Sequence, residues 1–193
     1  MMPVHLSAPV LRRRRHLGDG DGSDLATMGV RRLSVFRVAP AENVKVKLSF
    51  LDAPWVVTWP VQQVFQYDRA GGGKEEFAAA VKRLTESLAA ALALYIPLAG
   101  KLAYVEETRD LVVDCSDPGV AFFEAEADGE VEAESLLQEL DARVFPAPVM
   151  TVQATRFIAG GGTALSVSAL HAVVDGRAFV LFLELVWPPF NSV

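Results

Sequence analysis

From Ala164 to Gly176 the chain reads Ala-Leu-Ser-Val-Ser-Ala-Leu-His-Ala-Val-Val-Asp-Gly, and the remaining segments are best understood around this stretch. It begins as an apolar, partly β-branched run of strand length and closes in Asp175-Gly176, a dipeptide that favours a turn. His171 stands where the strand runs out, with Asp175 further along the same turn. A histidine at a strand end can direct an imidazole into a cleft while the strand holds its backbone still. Histidine is also the side chain whose ordinary pKa lies near neutrality, as a general base requires. Taken alone, a His-x-x-x-Asp spacing more often marks a partly buried histidine and an aspartate that makes the turn, so its meaning depends on the rest of the chain.

A chain of 193 residues makes one large domain or two small ones and can bury a sound core. Hydrophobic residues make up 51% and charged residues 22%, a globular balance. The net charge of −6 is unevenly spread: seven arginines against Asp19, Asp21 and Asp24 leave residues 1–40 at +4, and residues 41–193 stand at −10. A folded region so acidic is a poor surface for nucleic acid. Cys115, the single cysteine, permits no internal disulfide and fits a reducing, cytoplasmic compartment, where it reads as a small buried apolar side chain. With His5, His16 and His171 as the only histidines, no His/Cys cluster is available for zinc, and no metal is expected. No apolar run approaches the length of a membrane span, so no membrane partner is expected either.

Residues 1–28 read as a disordered extension, because the basic run Arg12–Arg15 and the Gly-Asp-Gly-Asp-Gly-Ser-Asp that follows have nothing to bury. Leu33–Val38, Val44–Phe50 and Val61–Tyr67 alternate as strands, with Leu51–Trp55 a turn between the last two. Phe77, Val81, Leu84, Leu88, Leu92 and Tyr95 recur at helical steps and predict a core helix over 75–95, with Glu75 and Glu76 suited to its positive end and Pro97 and Gly100 to stop it. Lys101–Val105 and Leu111–Asp114 read as a hairpin, and Val120–Ala125 as a strand. The acidic stretch Glu124–Glu134 reads as a solvated surface leading into a short helix that carries Leu136, Leu137, Leu140 and Val144. Met150–Ile158 and Thr163–Leu170 flank Gly160-Gly-Gly162 as a hairpin, and Phe179, Phe182, Leu183 and Val186 fit a final helix before Pro188-Pro189. The fold class is therefore α/β, a mixed sheet with packed helices and His171 at one strand's end.

With these segments placed, the sequence resembles the N-terminal half of a plant BAHD acyltransferase, a family with the chloramphenicol-acetyltransferase-like fold. The match is carried by Leu48-Ser-Phe-Leu-Asp-Ala-Pro-Trp55 with Pro60-Val-Gln-Gln-Val-Phe-Gln-Tyr67, by Leu84 to Leu102 with its Pro-Leu-Ala-Gly-Lys-Leu exit, and by His171-Ala-Val-Val-Asp-Gly176. It covers residues 29–187, is strong as an ordered set, and is nearest to the branch that acylates anthocyanins and other flavonoid or phenolic glucosides. The resemblance implies acyl transfer from an acyl-CoA thioester, a co-substrate and not a bound cofactor, to a hydroxyl of a small phenolic or flavonoid glycoside. His171 would be the catalytic base. Asp175 and Gly176 would be structural, the aspartate holding its loop through an ion pair and the glycine permitting the turn.

Proteins of that family are larger, with two similar domains and the active-site channel between them. The second domain supplies an Asp-Phe-Gly-Trp-Gly motif, much of the coenzyme A site and the usual ion-pair partner of the motif aspartate. Residues 188–193 resemble nothing in the family, and Arg177 sits too close in sequence to Asp175 to replace that partner. Two readings follow: an acyltransferase known by its N-terminal half, inactive as this fragment, or a truncated, non-catalytic lone domain that is a pseudogene product or pairs with an intact paralogue. In either case the chain is expected to self-associate through a bared interdomain surface. A peptide-synthetase condensation domain shares the His-x-x-x-Asp-Gly logic but lacks the Ser-Phe-Leu-Asp-Ala-Pro-Trp and Pro-Leu-Ala-Gly-Lys-Leu segments.

Overall fold

In the computed structural model, which describes residues 5–6, 30–38, 44–67, 73–128, 131–159 and 162–186, the strand-forming segments pair into two sheets. In chain order the strands are β1 (His5–Leu6), β2 (Val30–Val38), β3 (Lys45–Lys47), β4 (Val61–Tyr67), β5 (Lys101–Val105), β6 (Asp110–Asp114), β7 (Val120–Ala127), β8 (Ala147–Pro148), β9 (Met150–Phe157) and β10 (Thr163–Ala169). The helices are α1 (Lys74–Leu94) and α2 (Gly176–Val186). The larger sheet runs β1-β4-β10-β9-β7-β2 and the smaller β3-β6-β5-β8. The larger sheet is mixed, because β7 and β9 pair in parallel while its other pairs are antiparallel. The smaller sheet, which the sequence did not separate from the first, is antiparallel throughout.

The sheets meet where backbones approach closely. Gly100 accepts from the Val149 N–H at 3.1 Å, and a Cβ on Gly100 would lie 2.5 Å from Val113 Cγ1 and 2.6 Å from the sulfur of Cys115. Glycine is needed there for space and not for an unusual φ. Cys115 is fully buried, as its reading as an apolar side chain expects.

The two faces of the larger sheet are chemically unlike. Met150, Val152 and Ala154 of β9 and Leu165, Val167 and Ala169 of β10 share a face and a core with Phe77, Val81, Leu84, Leu88 and Leu92 of α1. That is the apolar stripe read from the sequence, laid on the sheet. Phe179, Phe182, Leu183 and Val186 of α2 join the same core, and Phe182 meets Tyr95 edge-on with centroids 5.5 Å apart. The Ser87 hydroxyl of α1 donates to the Val186 carbonyl at 2.8 Å, so α1 satisfies one of the last carbonyls of α2. The opposite face carries Thr151, Gln153, Thr155, Ser166 and Ser168, all buried.

Three expectations are corrected. Residues 136–144 are not a helix beyond a single 3₁₀ turn at Ala133–Leu136, because the buried Gln153 amide donates to the Leu136 carbonyl at 3.0 Å and draws it out of any helical ladder. The strand expected over Val44–Phe50 is β3 at Lys45–Lys47, flanked by backbone bonds at Val44 and Leu48, and it ends there because the Ser49 N–H turns to Asp52 Oδ2 at 2.9 Å. Within the acidic stretch, Glu126 is not solvated. It is buried on β7 between Arg156, with which it makes an ion pair, and Arg31 at 2.6 Å. Of residues 1–28, His5 and Leu6 pair with Gln66 and Phe65 of β4; the rest of that extension, Gly160, and residues 188–193 lie outside the described residues.

Phe182→Ala is expected to lower unfolding free energy by about 3–5 kcal/mol, the usual cost of emptying a buried aromatic site, measured by urea denaturation. Hydrogen bonding to Arg156, then to Arg31, holds the Glu126 carboxyl below its ordinary value despite its burial. A depressed carboxylate contributes stability that is present above its unfolded pKa and lost as pH falls through the folded one. Stability should therefore fall below about pH 4.3, and Glu126→Gln should flatten that part of the stability–pH curve.

Candidate active site

β10 is paired along its length with both β4 and β9, so the point at which it ends is fixed in the sheet. Beyond Ala169, the Leu170 N–H donates to the Val149 carbonyl at 2.9 Å, and the Leu170 carbonyl accepts from Val173 at 3.0 Å and Val174 at 3.3 Å. Residues 171–173 thus form a turn, pinned inward by the buried side chains of Ala172 and Val174. His171 lies on that turn, just past the end of β10, and is partly exposed.

Asp175 ends the turn and begins α2. Its Oδ1 accepts from the Ala178 N–H at 2.7 Å and its carbonyl from the Phe179 N–H at 2.9 Å, the arrangement of an N-cap. Among the described residues Asp175 makes no ion pair, so its carboxylate serves its own helix. Gly176 is the first residue of α2. Its φ is not left-handed, and an added Cβ would meet nothing within 4 Å, so neither backbone conformation nor crowding in this chain demands glycine there. The motif thus runs from the turn at His171 into the start of α2, with the Asp175 carboxylate bonded to the first turn of that helix.

What the structure adds is Trp55, which the sequence placed in a turn without a role. Its indole stacks on the His171 ring with centroids 4.5 Å apart and planes 18° from parallel. Trp55 lies in a 3₁₀ helix, Ala53–Val57, that is hydrogen-bonded at both ends. The Trp55 N–H donates to the Asp52 carbonyl at 3.0 Å, and the Trp55 carbonyl accepts from the Thr58 hydroxyl at 2.6 Å and N–H at 3.2 Å. Hydrogen bonds from Ser49 hold the Asp52 carboxyl below its ordinary value. The Leu51-Asp-Ala-Pro-Trp55 signature was the available signal, but its contact with His171 crosses most of the chain. In the same segment Phe50, Leu51, Val57 and Trp59 are exposed, an apolar rim around Trp55 in sequence.

A separate concavity of about 360 Å³ opens on the smaller sheet between Lys101, Tyr104, Asp114, Asp117 and Phe145, and contains none of these residues. Its carboxylates are already engaged, Asp114 by Lys45 at 3.0 Å and Asp117 by Arg37 at 2.7 Å. Among the described residues no group of three His, Cys, Asp or Glu could hold a metal ion, and no helix is long and apolar enough to cross a membrane.

Residues 30–187 match the family model described as "Transferase family". The chain is 39% identical over 114 residues to the pelargonidin 3-O-(6-caffeoylglucoside) 5-O-(6-O-malonylglucoside) 4'''-malonyltransferase of Salvia splendens, covering 53% of this chain and 26% of that protein. It is 29% identical over 172 residues to the malonyl-CoA:anthocyanidin 5-O-glucoside-6''-O-malonyltransferase of Arabidopsis thaliana, covering 80% of this chain and 37% of that one. This chain therefore spans well under half the length of these relatives. Among solved structures, vinorine synthase superposes with a TM-score of 0.60 at 22% identity, over 80% of this chain and 41% of the other. The mixed sheet with its packed helices is thus the chloramphenicol-acetyltransferase-like fold, and the chain belongs to the transferase family of BAHD acyltransferases.

Proposed function

We propose that the chain carries the base-bearing part of an enzyme that transfers an acyl group from an acyl-CoA thioester to a hydroxyl of a phenolic or flavonoid glycoside, with His171 as general base. The observation that carries this reading is the placement of His171: a partly exposed imidazole on a rigid turn, with neither ring nitrogen hydrogen-bonded among the described residues and its face covered by Trp55. A ring nitrogen so left open can take the acceptor's hydroxyl proton as the oxygen attacks the thioester carbonyl. The tetrahedral oxyanion then collapses, the C–S bond breaks, and the coenzyme A thiolate leaves with the proton that His171 took, which restores the neutral imidazole. Asp175 stays structural, capping α2 and fixing the turn from behind. The acceptor class is taken from the relatives, both malonyltransferases of anthocyanin-type glucosides by name. Acyl-CoA is a co-substrate, and the compartment is the cytoplasm, in keeping with a single buried thiol.

The apolar rim of Phe50, Leu51, Val57 and Trp59 favours a second reading of the isolated chain, a non-catalytic domain that associates with itself or with an intact paralogue through that rim.

In a version extended by the C-terminal half of a relative, with malonyl-, acetyl- and hydroxycinnamoyl-CoA offered against a panel of phenolic glucosides, His171→Ala should reduce coenzyme A thiol release by about 10²–10⁴-fold. Turnover retained in His171→Ala removes the base role, whereas no thiol release from the unsubstituted version even with the C-terminal half in place supports the second reading. Asp175→Ala should cost about 0.5–2 kcal/mol of stability through the lost cap and Asp175→Asn much less, a difference read by chemical denaturation.

A further inference from the structure

The turn fixes the backbone of His171 but not its ring, whose outer torsion has a broad, shallow preference. In hydrolases a carboxylate commonly holds a catalytic imidazole in place by bonding one ring nitrogen. Here the nearest carboxylate in sequence, that of Asp175, is committed to the Ala178 N–H, and among the described residues the ring is met by the indole of Trp55. The backbone that carries that indole is fixed, so each ring of the stack stands on an anchored main chain. The backbone N–H and carbonyl of Trp55 are hydrogen-bonded to Asp52 and Thr58, the loop is closed by Ser49 to Asp52, and the adjoining Val56 is buried in the core. A near-parallel stack uses the face of an imidazole and leaves its edge, where both nitrogens lie, free to meet a substrate.

We propose that Trp55 is a positioning residue for His171: it substitutes for an orienting carboxylate by stacking on the imidazole, fixing the plane of the ring while leaving both nitrogens open. The inference rests on His171 being the base. It gives the Ser-Phe-Leu-Asp-Ala-Pro-Trp segment a physical purpose, which is to build a hydrogen-bonded platform that carries one indole to one imidazole.

The test uses the full chain and its imidazole NMR spectra, with the His171 signals identified as those lost in His171→Gln. The expected spectrum has the His171 ring protons shifted upfield of those of His5 and His16 by the indole ring current, and the ring ordered on the nanosecond scale. Trp55→Ala should abolish the upfield shift and free the ring, and Trp55→Phe should keep part of both. In the coenzyme A release assay, Trp55→Ala should lower kcat about 100-fold with little change in either KM, and Trp55→Phe should recover most of the loss. A His171 ring that is unshifted in the unsubstituted chain, or equally mobile with and without the indole, overturns the proposal whether or not turnover is seen. A shift that vanishes in Trp55→Ala while kcat stands unchanged overturns the positioning role and leaves the stack. Should Trp55→Ala fail to fold, the Phe variant decides by the same two measurements. If His171→Gln turns over as fast as the unsubstituted chain, the reading of His171 as base falls, and the spectra still report independently on the stack.

Discussion

A strand paired on both edges cannot slip without breaking two ladders, and the position of His171 depends on such a strand. β10 matches β4 and β9 residue for residue, with Leu165 opposite both Phe65 and Ala154 and Ala169 opposite both Val61 and Met150. A shift of one residue would also exchange its two faces, sending Leu165 and Val167 into the polar layer and Ser166 and Ser168 against α1. Because one face is apolar and the other carries hydroxyls and amides, only one register keeps the aliphatic side chains against α1. The turn that bears the histidine thus inherits its place from strand pairing, and the following helix inherits its start from the turn.

The polar face is what makes this arrangement specific. An apolar face can exchange one aliphatic contact for another at modest cost, whereas a buried amide needs its partners in place. Gln153 meets this need by donating to the Leu136 carbonyl and to the Thr155 hydroxyl at 3.1 Å, with the Gln138 side chain donating in turn to its oxygen. The stretch after β7 is therefore held to the sheet by hydrogen bonds as well as by Leu136 and Leu140.

What could be read from the sequence follows from the range of the forces involved. The stripe of α1 was legible because its period belongs to the helix itself, and the β9–β10 hairpin because glycines mark its turn. The stop of β3 and the absence of a helix after Leu136 were not, since each is decided by a side chain, Asp52 in one case and the distant Gln153 in the other, that captures a backbone group. Glu126 looked like one more surface acid because Arg31 and Arg156 lie far from it in sequence. At the site, His171 and Asp175 were legible as a motif. The direction of Asp175 into α2 and the approach of Trp55 were not, because both depend on where the chain returns.

The Trp55–His171 stack has a consequence for how this molecule can be observed. An indole changes its light emission with whatever lies against it, and this one is 46% exposed while resting on the imidazole. The candidate site therefore carries a built-in optical probe on one of the chain's three tryptophans. Anything that enters and disturbs the paired rings will alter its fluorescence, with no label attached and no turnover required.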